Sequence, residues 1–239
     1  MNQLLYKNAI FSTKFTQNNE MRFSNIETVA NQLKARLGLP LPGREAQVKM
    51  APTPVDENRF SEMVNRPARP GGVMVLLYPK NGELYLPLMK RPGYNGAHGG
   101  QVSFPGGKAE QQDLNLIETA LRETEEEIGV KTTEVSVLGQ LSELFIIASN
   151  FKVLPTVGIL DHAPQFIPDP YEVESILEVP ISQFYDLEKR GVEEMRFGKY
   201  VIHSPYFNVE GHLVWGATAM MLSELLAVID DMGNDFKKA

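Results

Sequence analysis

The sequence predicts an α/β/α sandwich built on a mixed β-sheet. Apolar runs of strand length lie both before and after a central helical stretch at residues 114–128. A second helix, apolar on most sides, is predicted at residues 217–229. Strands on either side of one helix, with a terminal helix to cover the opposite face of the sheet, favour this layered architecture.

The composition limits both the kind of protein that this chain can be and the kinds of partner that it can bind. The chain has 239 residues, 43% of them hydrophobic, which is enough for one large domain with a sizeable core. A net charge of −7 without a basic stripe argues against a nucleic-acid partner. No apolar run approaches the roughly 18 residues of a membrane span. We therefore expect a cytoplasmic protein that binds neither nucleic acid nor membrane.

The first third of the chain is predicted to have two parts. Residues 1–23 lack the apolar core of a signal peptide and are interpreted as a flexible arm, with a targeting segment as the weaker alternative. Met21 is a second candidate for the natural start. Residues 24–69 are expected to form a helix and an extended wrap, and residues 70–239 the main domain with its C-terminal helix.

The predicted N-terminal helix has both start and stop signals. Ser24 is the expected N-cap, and Glu27 three residues later completes a capping box. Apolar residues then recur at helical spacing up to Leu37, and Gly38 ends the helix. Residues 39–69 are rich in proline and lack periodicity, so we expect an extended segment over the domain surface.

Several strands are predicted on each side of the central helix. Residues 73–78 and 84–89 flank Lys80-Asn81-Gly82, a strong hairpin signal. A short strand at residues 102–104 leads into the central stretch. Three later segments have strand-like patterns, at residues 135–144, 152–160 and 172–179. Residues 183–190 are predicted to be helical, and residues 200–207 and 213–215 to form a hairpin.

The central stretch, residues 104–130, combines a glycine turn, a polar loop and a helix. Gly106 and Gly107 let the backbone approach a ligand closely. Asp113 is the expected N-cap of the helix, and Gly129 stands where a left-handed residue ends one. Glu118 and Arg122 have the spacing of a supporting ion pair. The face expected to be buried carries Ile117, Ala120, Leu121, Thr124 and Ile128.

The acidic end of this helix is the candidate metal site. Four glutamates fall within residues 123–127, and each like-charged neighbour pair costs about 0.2–0.5 kcal/mol. A divalent cation would reverse that repulsion, and magnesium prefers oxygen ligands. Without cysteine or clustered histidine, Mg²⁺ (or Mn²⁺) is favoured over zinc. A solvated acidic face is the alternative, but the glycine turn before the helix favours a site.

This stretch resembles the Nudix box, the glycine-loop-helix signature of hydrolases that cleave nucleoside diphosphates linked to another group. One departure is that Asp113 stands where the family usually has Glu, one residue further from Arg122 than the usual spacing. The resemblance implies a Nudix-type sandwich and a pyrophosphatase activity. Its matching positions are Gly107, Asp113, Arg122-Glu123, Glu126-Glu127 and Gly129.

The resemblance also implies roles for single residues. The metal ligands would be Glu123, Glu126 and Glu127, together with the carbonyl of Gly106. Arg122 would hold the glutamates in position.

A further acidic group is expected from a later loop. Glu172 is its candidate, and Glu174 is the rival. The implied catalytic residues are thus Glu123, Arg122 and Glu172.

A second signature lies directly before the box, at residues 91–104. It resembles the segment that marks the coenzyme A pyrophosphatase branch of the family, with Pro92 and Asn95 as departures. Similarity to that branch extends over residues 37–226. The implied substrate-binding residues are Arg91, Asn95, His98 and Gly107, with Arg91 expected to bind a phosphate.

The implied reaction splits the pyrophosphate of coenzyme A or its thioesters into 3′,5′-adenosine bisphosphate and 4′-phosphopantetheine or its acyl form. The partner is therefore a small nucleotide-type molecule. Two alternatives stay open: hydrolysis of another nucleoside diphosphate derivative such as ADP-ribose, or a Nudix-fold binding module without catalysis. Monomer and homodimer both stay open as the oligomeric state.

Overall fold

The computed structural model describes residues 25–53, 67–93, 100–197 and 200–232. The predicted arm at residues 1–23 and the predicted cap Ser24 lie outside these ranges. Among the described helices, none is long and apolar enough to cross a membrane.

The described α-helices and strands follow one another in the order that the sequence pattern predicts, with several additions. The α-helices are α1 (Ile26–Leu37), α2 (Gly43–Gln47), α3 (Leu116–Ile128) and α4 (Gly216–Asp231). The strands are β1 (Arg69–Lys80), β2 (Glu83–Lys90), β3 (Val102–Ser103), β4 (Gly106–Lys108), β5 (Ser136–Gln140), β6 (Leu144–Ile146), β7 (Phe151–Ile159), β8 (Ser175–Pro180), β9 (Arg190–Phe197), β10 (Tyr200–Val209) and β11 (His212–Trp215).

The main sheet is mixed, as the sequence predicts. Its central path runs β3-β2-β1-β7-β5, and β4, β6 and β8 pair with β1, β7 and β2. Strands β1 and β7 are parallel over nine residue pairs, from Arg69 opposite Phe151 to Leu77 opposite Ile159. The other pairings in this sheet are antiparallel. A parallel pair requires a crossover connection, and helix α3 is part of it.

The two faces of β1 pack against different helices, because successive side chains of a strand point to opposite faces. Met74, Leu76 and Tyr78 share a buried cluster with Ala120 and Ile128 of α3. The residues between them enter the larger core with α1 and α4, and these residues are Val73, Val75 and Leu77. Helices on both faces of a mixed sheet confirm the predicted α/β/α sandwich.

The predicted hairpin is present, with longer strands than the pattern indicates. Asn81 and Gly82 connect β1 to β2 and both have positive φ angles, 55° and 79°. Positive φ at both central residues is typical of the type I′ turn that two-residue hairpin loops prefer.

The N-terminal region differs from the prediction in two ways. Asn25, one residue after Ser24, caps α1, because its side chain accepts a hydrogen bond from the Glu27 amide at 2.7 Å. The stretch predicted as an extended wrap contains helix α2 and a short 3-10 helix at Val48–Met50. These pack on α4, where buried Glu224 accepts hydrogen bonds from the Gly43 amide and from Gln47.

The C-terminal half also departs from the prediction at its connections. The late hairpin of β10 and β11 is confirmed, but β9 pairs with β10 as well and makes a three-stranded sheet. The helical segment expected at residues 183–190 consists of two short 3-10 helices, Ile181–Tyr185 and Leu187–Lys189. Arg190 then begins β9.

Candidate active site

The glycine turn lies against both the sheet and the acidic helix. Gly106 has φ 150°, and an added Cβ there would lie 2.7 Å from the Cα of Val73. A Cβ on Gly107 would lie 2.5 Å from the carboxylate of Glu123. The lack of side chains at these two positions therefore lets β4 pair with β1 while the turn contacts the carboxylates of α3.

Helix α3 begins at a different cap from the one predicted. Asn115, and not Asp113, is the N-cap, because its side-chain oxygen accepts from the amides of Ile117 at 2.9 Å and Glu118 at 3.1 Å. The predicted end is confirmed, since Gly129 adopts the left-handed conformation with φ 74°. These two ends fix which residues of α3 face the glycine turn.

Two other predictions about α3 need correction. Glu118 does not pair with Arg122, because its carboxylate accepts from the Leu114 amide at 3.0 Å. On the face predicted to be buried, Ile117 and Leu121 are only partly buried.

Arg122 is the centre of an ionic network at this end of the protein. Asp113 receives two of its hydrogen bonds, Nε to Oδ1 and Nη2 to Oδ2, both at 3.0 Å. Nη1 contacts Glu123 at 3.0 Å and Glu126 at 2.8 Å. The fork of the guanidinium thus binds one buried carboxylate and holds two others in place. The positioning function that the resemblance implies for Arg122 stays a prediction, and these contacts are where it would act.

Asp113 contributes to this network rather than to a helix cap. Its side chain is 4% exposed and also accepts a hydrogen bond from the Thr119 hydroxyl at 2.9 Å. The hydrogen bonds between the two side chains hold the pKa of Asp113 well below its usual range and raise the pKa of Arg122. Asp113 is therefore the anchor of Arg122, despite its unusual spacing.

Glu127 is the most enclosed carboxylate of the helix, with a side chain only 2% exposed. The Gly106 amide donates to its Oε2 at 2.7 Å, and Arg91 Nη2 lies 2.9 Å from its Oε1. Burial raises the pKa of Glu127 to about 8, while the charge of Arg91 and the Gly106 amide act in the opposite direction. The charges of Glu123 and Glu172 add to the upward shift.

Glu123 and Glu126 differ in their exposure. The side chain of Glu123 is 14% exposed and that of Glu126 is 59% exposed. Burial raises the pKa of Glu123, Arg122 opposes this shift, and the charges of Glu126 and Glu172 add to it. Several carboxylates whose negative charges act on one another form an electrostatic setting that favours a cation.

Glu172 lies near these carboxylates, since its charge acts on both Glu123 and Glu127. Its rival Glu174 is engaged elsewhere, in an ion pair with Lys90 at 2.6 Å. Asp169 links the loop to α3, because its amide donates to the Glu127 carbonyl and its carboxylate accepts from the Glu172 amide. Sequence reasoning missed Asp169, although an Asp-Pro turn immediately before Tyr171 was a visible signal.

The structure brings most of the predicted site residues together. Arg91 lies at the end of β2, where its amide donates to the Gln101 carbonyl at 3.0 Å. Asn95 and His98 lie outside the described residues. The predicted residues that the structure gathers at one end of α3 are Arg91, Gly106, Gly107, Arg122, Glu123, Glu126, Glu127 and Glu172.

The donors at this site fit a hard divalent cation. The ligands that the sequence predicts are carboxylate and carbonyl oxygens, which magnesium and manganese prefer. Within the described ranges, no three His, Cys, Asp or Glu side chains already stand in a metal-binding arrangement. Instead, Arg91 and Arg122 contact the carboxylates that would serve as ligands.

The chain matches a family profile and is similar to several Nudix hydrolases, three of which are described below. The NUDIX domain profile matches residues 68–193. Nudix hydrolase 15, mitochondrial, of Arabidopsis thaliana is 36% identical over 190 residues, which cover 76% of this chain and 64% of that protein. NudL of Yersinia enterocolitica, an uncharacterized Nudix hydrolase, is 38% identical over 147 residues, 58% of this chain and 70% of that protein. Nudix hydrolase 22, chloroplastic, of Arabidopsis thaliana is 36% identical over 172 residues, 69% of this chain and 56% of that protein.

Proposed function

The chain belongs to the Nudix family, and from this we propose that it is a metal-dependent pyrophosphohydrolase whose substrate is coenzyme A or a coenzyme A thioester. The products would be 3′,5′-adenosine bisphosphate and 4′-phosphopantetheine or its acyl form. The observation that carries the hydrolase part of the proposal is the contact of Glu123 and Glu127 with the Gly106-Gly107 turn. The loop that carries Glu172 is joined to the same helix through Asp169.

In this proposal Glu123, Glu126, Glu127 and the Gly106 carbonyl hold Mg²⁺ or Mn²⁺. A bound divalent cation would neutralise phosphate charge and lower the pKa of a water molecule. The chain itself positions these ligands, because Arg122 holds Glu123 and Glu126 on one side of the helix.

Glu172 has a separate part in the proposed mechanism. It is the candidate acceptor of the proton from the attacking water, because it is exposed and its amide is held on Asp169 beside α3. A general base must lie within hydrogen-bond reach of the proton that it takes from the attacking water, and an exposed carboxylate at the edge of the site can do so.

The coenzyme A part of the proposal is supported by residues 91–104 and by the similarity over residues 37–226. Within the described part of that segment, Arg91 lies beside the Gly106 carbonyl, with Nη2 at 3.4 Å. A substrate diphosphate bound at the glycine turn would therefore lie within reach of the Arg91 side chain. Gly107, where the lack of a side chain lets the Glu123 carboxylate lie against the turn, is the second described residue proposed to bind this diphosphate.

Hydrolysis of another nucleoside diphosphate derivative, such as ADP-ribose, is the second candidate. It is favoured by Pro92 and Asn95, where the segment departs from the coenzyme A pattern. A binding module without catalysis is the third, and the complete set of glutamates on α3 counts against it, since binding alone does not require them.

Product analysis separates these candidates. The protein is incubated with coenzyme A and, separately, with ADP-ribose, each with Mg²⁺ or Mn²⁺, and the products are identified by mass spectrometry. We expect 3′,5′-adenosine bisphosphate and 4′-phosphopantetheine from coenzyme A. Turnover of ADP-ribose alone would support the second candidate, and nucleotide binding without turnover of either would support the third.

The proposed location is the cytoplasm, and the proposed assembly is a monomer or a homodimer. The two Arabidopsis relatives carry the names of organelles, mitochondrial and chloroplastic. Fractionation of cells that express the tagged protein tests the location, and light scattering of the purified protein tests the assembly.

A further inference from the structure

One nitrogen atom of Arg91 contacts two of the oxygen-bearing groups that the proposed function assigns to the metal. Nη2 lies 2.9 Å from Oε1 of Glu127 and 3.4 Å from the carbonyl oxygen of Gly106. The same guanidinium therefore stands where a cation held by that carboxylate and that carbonyl would make its own contacts.

The position of Arg91 has a clear electrostatic cause. Glu127 is 2% exposed, and the Gly106 amide satisfies only one of its oxygens. A buried carboxylate is strongly destabilising unless it is paired and hydrogen-bonded. Arg91, whose side chain is 20% exposed, supplies the positive charge that pairs with the Glu127 carboxylate.

A guanidinium and a divalent cation cannot use these oxygens together, because like charges at such short range repel each other strongly. The backbone of Arg91 is fixed by the hydrogen bond from its amide to the Gln101 carbonyl, at 3.0 Å. Any exchange therefore takes place by rotation of the long, flexible side chain, while the strand end stays in place.

We propose that Arg91 is a resident counter-ion of Glu127 that competes with the divalent cation for Glu127 and the Gly106 carbonyl. When the cation binds, the guanidinium leaves these oxygens and its charge becomes available to a phosphate of the substrate. The inference rests on the proposed metal-dependent hydrolase function, and it gives Arg91 a second function, in which it couples metal binding to substrate binding.

The test measures Mn²⁺ affinity without substrate, by electron paramagnetic resonance of free Mn²⁺, for chelator-treated wild type and variants. Arg91→Gln removes the competing charge, so its Mn²⁺ affinity should rise about tenfold or more. Lys90→Gln is the matched control, because it removes a neighbouring positive charge that pairs with Glu174 instead. Its Mn²⁺ affinity should stay within about twofold of wild type.

Equal or weaker Mn²⁺ binding by folded Arg91→Gln would overturn the inference, as would an equal gain in Lys90→Gln. Because substrate is absent, this result is independent of the product analysis. The inference can therefore fail while the enzyme still hydrolyses coenzyme A, and the coenzyme A assignment can fail while the competition is observed.

A second measurement uses the wild-type protein and so does not depend on the folding of a variant. Phenylglyoxal labels accessible arginine side chains, and peptide mass spectrometry reports the label on Arg91. Mg²⁺ should increase the rate of labelling at Arg91 about threefold or more, with Arg36, which pairs with distant Asp231, as the internal reference. Unchanged or slower labelling of Arg91 with Mg²⁺ would overturn the inference.

Discussion

At the scale of single residues, the charge on Glu127 matters most for the proposed binding of a metal ion. Its carboxylate is enclosed by the glycine turn and by Arg91, and burial raises its pKa to about 8. Such a group is costly to keep ionised unless positive charge is near. In the proposed function, that requirement is what makes Glu127 a strong ligand for a cation.

Replacing Glu127 with Gln should abolish most of the activity and leave the fold intact. The variant keeps the size of the side chain but loses the charge that would hold a cation, so kcat should fall by about two orders of magnitude or more, comparable to the loss of a principal electrostatic group. Glu125→Gln is the control, because its amide oxygen can still accept the hydrogen bond from the Thr132 amide. Near-normal turnover by folded Glu127→Gln would contradict the assignment.

Asp113 offers a second prediction at this scale. Asp113→Asn would lose the charged contact to Arg122, so we expect kcat to fall about tenfold and the free energy of unfolding to fall by about 1.5–3 kcal/mol. Glu118→Gln is the matched control, since the Gln side-chain oxygen can still accept the hydrogen bond from the Leu114 amide. If Asp113→Asn keeps full activity and stability, the Asp113–Arg122 pair is not needed to place the glutamates.

The pH dependence of this effect follows from the lowered pKa of Asp113. A carboxylate with a lowered pKa contributes stability that is complete above its unfolded value of about 3.9 and is lost as the pH falls toward the folded value. The stability difference between wild type and Asp113→Asn should therefore be the same at neutral and mildly alkaline pH. Chemical denaturation at several pH values measures this stability difference, and a difference that shrinks near neutrality would contradict a lowered pKa of Asp113.

The candidate site residues could be named from the sequence, whereas the contacts among them could not. Spacing along a helix places Glu123, Glu126 and Glu127 on adjacent faces, and the glycine turn before the helix makes them a candidate site rather than a solvated acidic face. Asp113 was assigned to a cap because short acidic residues before a helix usually cap it. Its actual partner, Arg122, lies nine positions later within the helix, and the capping pattern carries no information about that contact.

At the scale of elements, the close contact between β1 and α3 holds the acidic helix on the sheet. Gly72 lies under the first turns of α3, and an added Cβ would overlap the Leu116 carbonyl and lie 2.7 Å from the Ala120 amide nitrogen. Backbone atoms cannot move aside as the end of a side chain can. This contact sets the distance between the helix and the glycine turn on β4.

Gly72→Ala should therefore destabilise the protein. We expect the free energy of unfolding to fall by about 2 kcal/mol or more, at the upper part of the range for overpacked sites. Gly38→Ala is the control, because its nearest neighbour would be the Ala35 carbonyl oxygen at 3.4 Å, an ordinary contact. Urea unfolding of both variants measures the effect, and equal stabilities would show that α3 can shift without cost.

The elements with strong local signals could be predicted, and those without such signals could not. Asn81-Gly82 and Gly129 marked a hairpin and a helix end, and both are confirmed. Strand β9 was missed because its sequence, RGVEEMRF, is polar and charged and it depends on pairing with β10. Helix α2 was missed because a short helix within a proline-rich segment has little periodicity.

At the scale of the whole molecule, the central strand β1 joins two cores. Its alternate residues pack on α3 and on the layer of α1 and α4. The layered architecture could be predicted because it depends only on the order of helical and strand-like segments. The parallel pairing of β1 with β7 could not, since it joins residues about 80 positions apart, from Arg69 to Phe151.

The predicted N-terminal arm gives a test at this scale. Deletion of residues 1–20 should leave the melting temperature within a few degrees of the full chain, because that segment has no periodic apolar face to bury. One kcal/mol of lost stability would lower the melting temperature of a chain of this size by about 2–4 °C. A larger fall, or a loss of soluble yield, would mean that the segment packs on the core.

The central claim is that the site hydrolyses the diphosphate of coenzyme A, and one competition measurement tests it most directly. Equimolar coenzyme A and ADP-ribose are incubated together with the protein and Mg²⁺, and both sets of products are followed by mass spectrometry. The ratio of initial rates then equals the ratio of kcat/KM. We expect coenzyme A to be consumed at least about tenfold faster, with no products when a chelator replaces Mg²⁺. Faster consumption of ADP-ribose would contradict the claim.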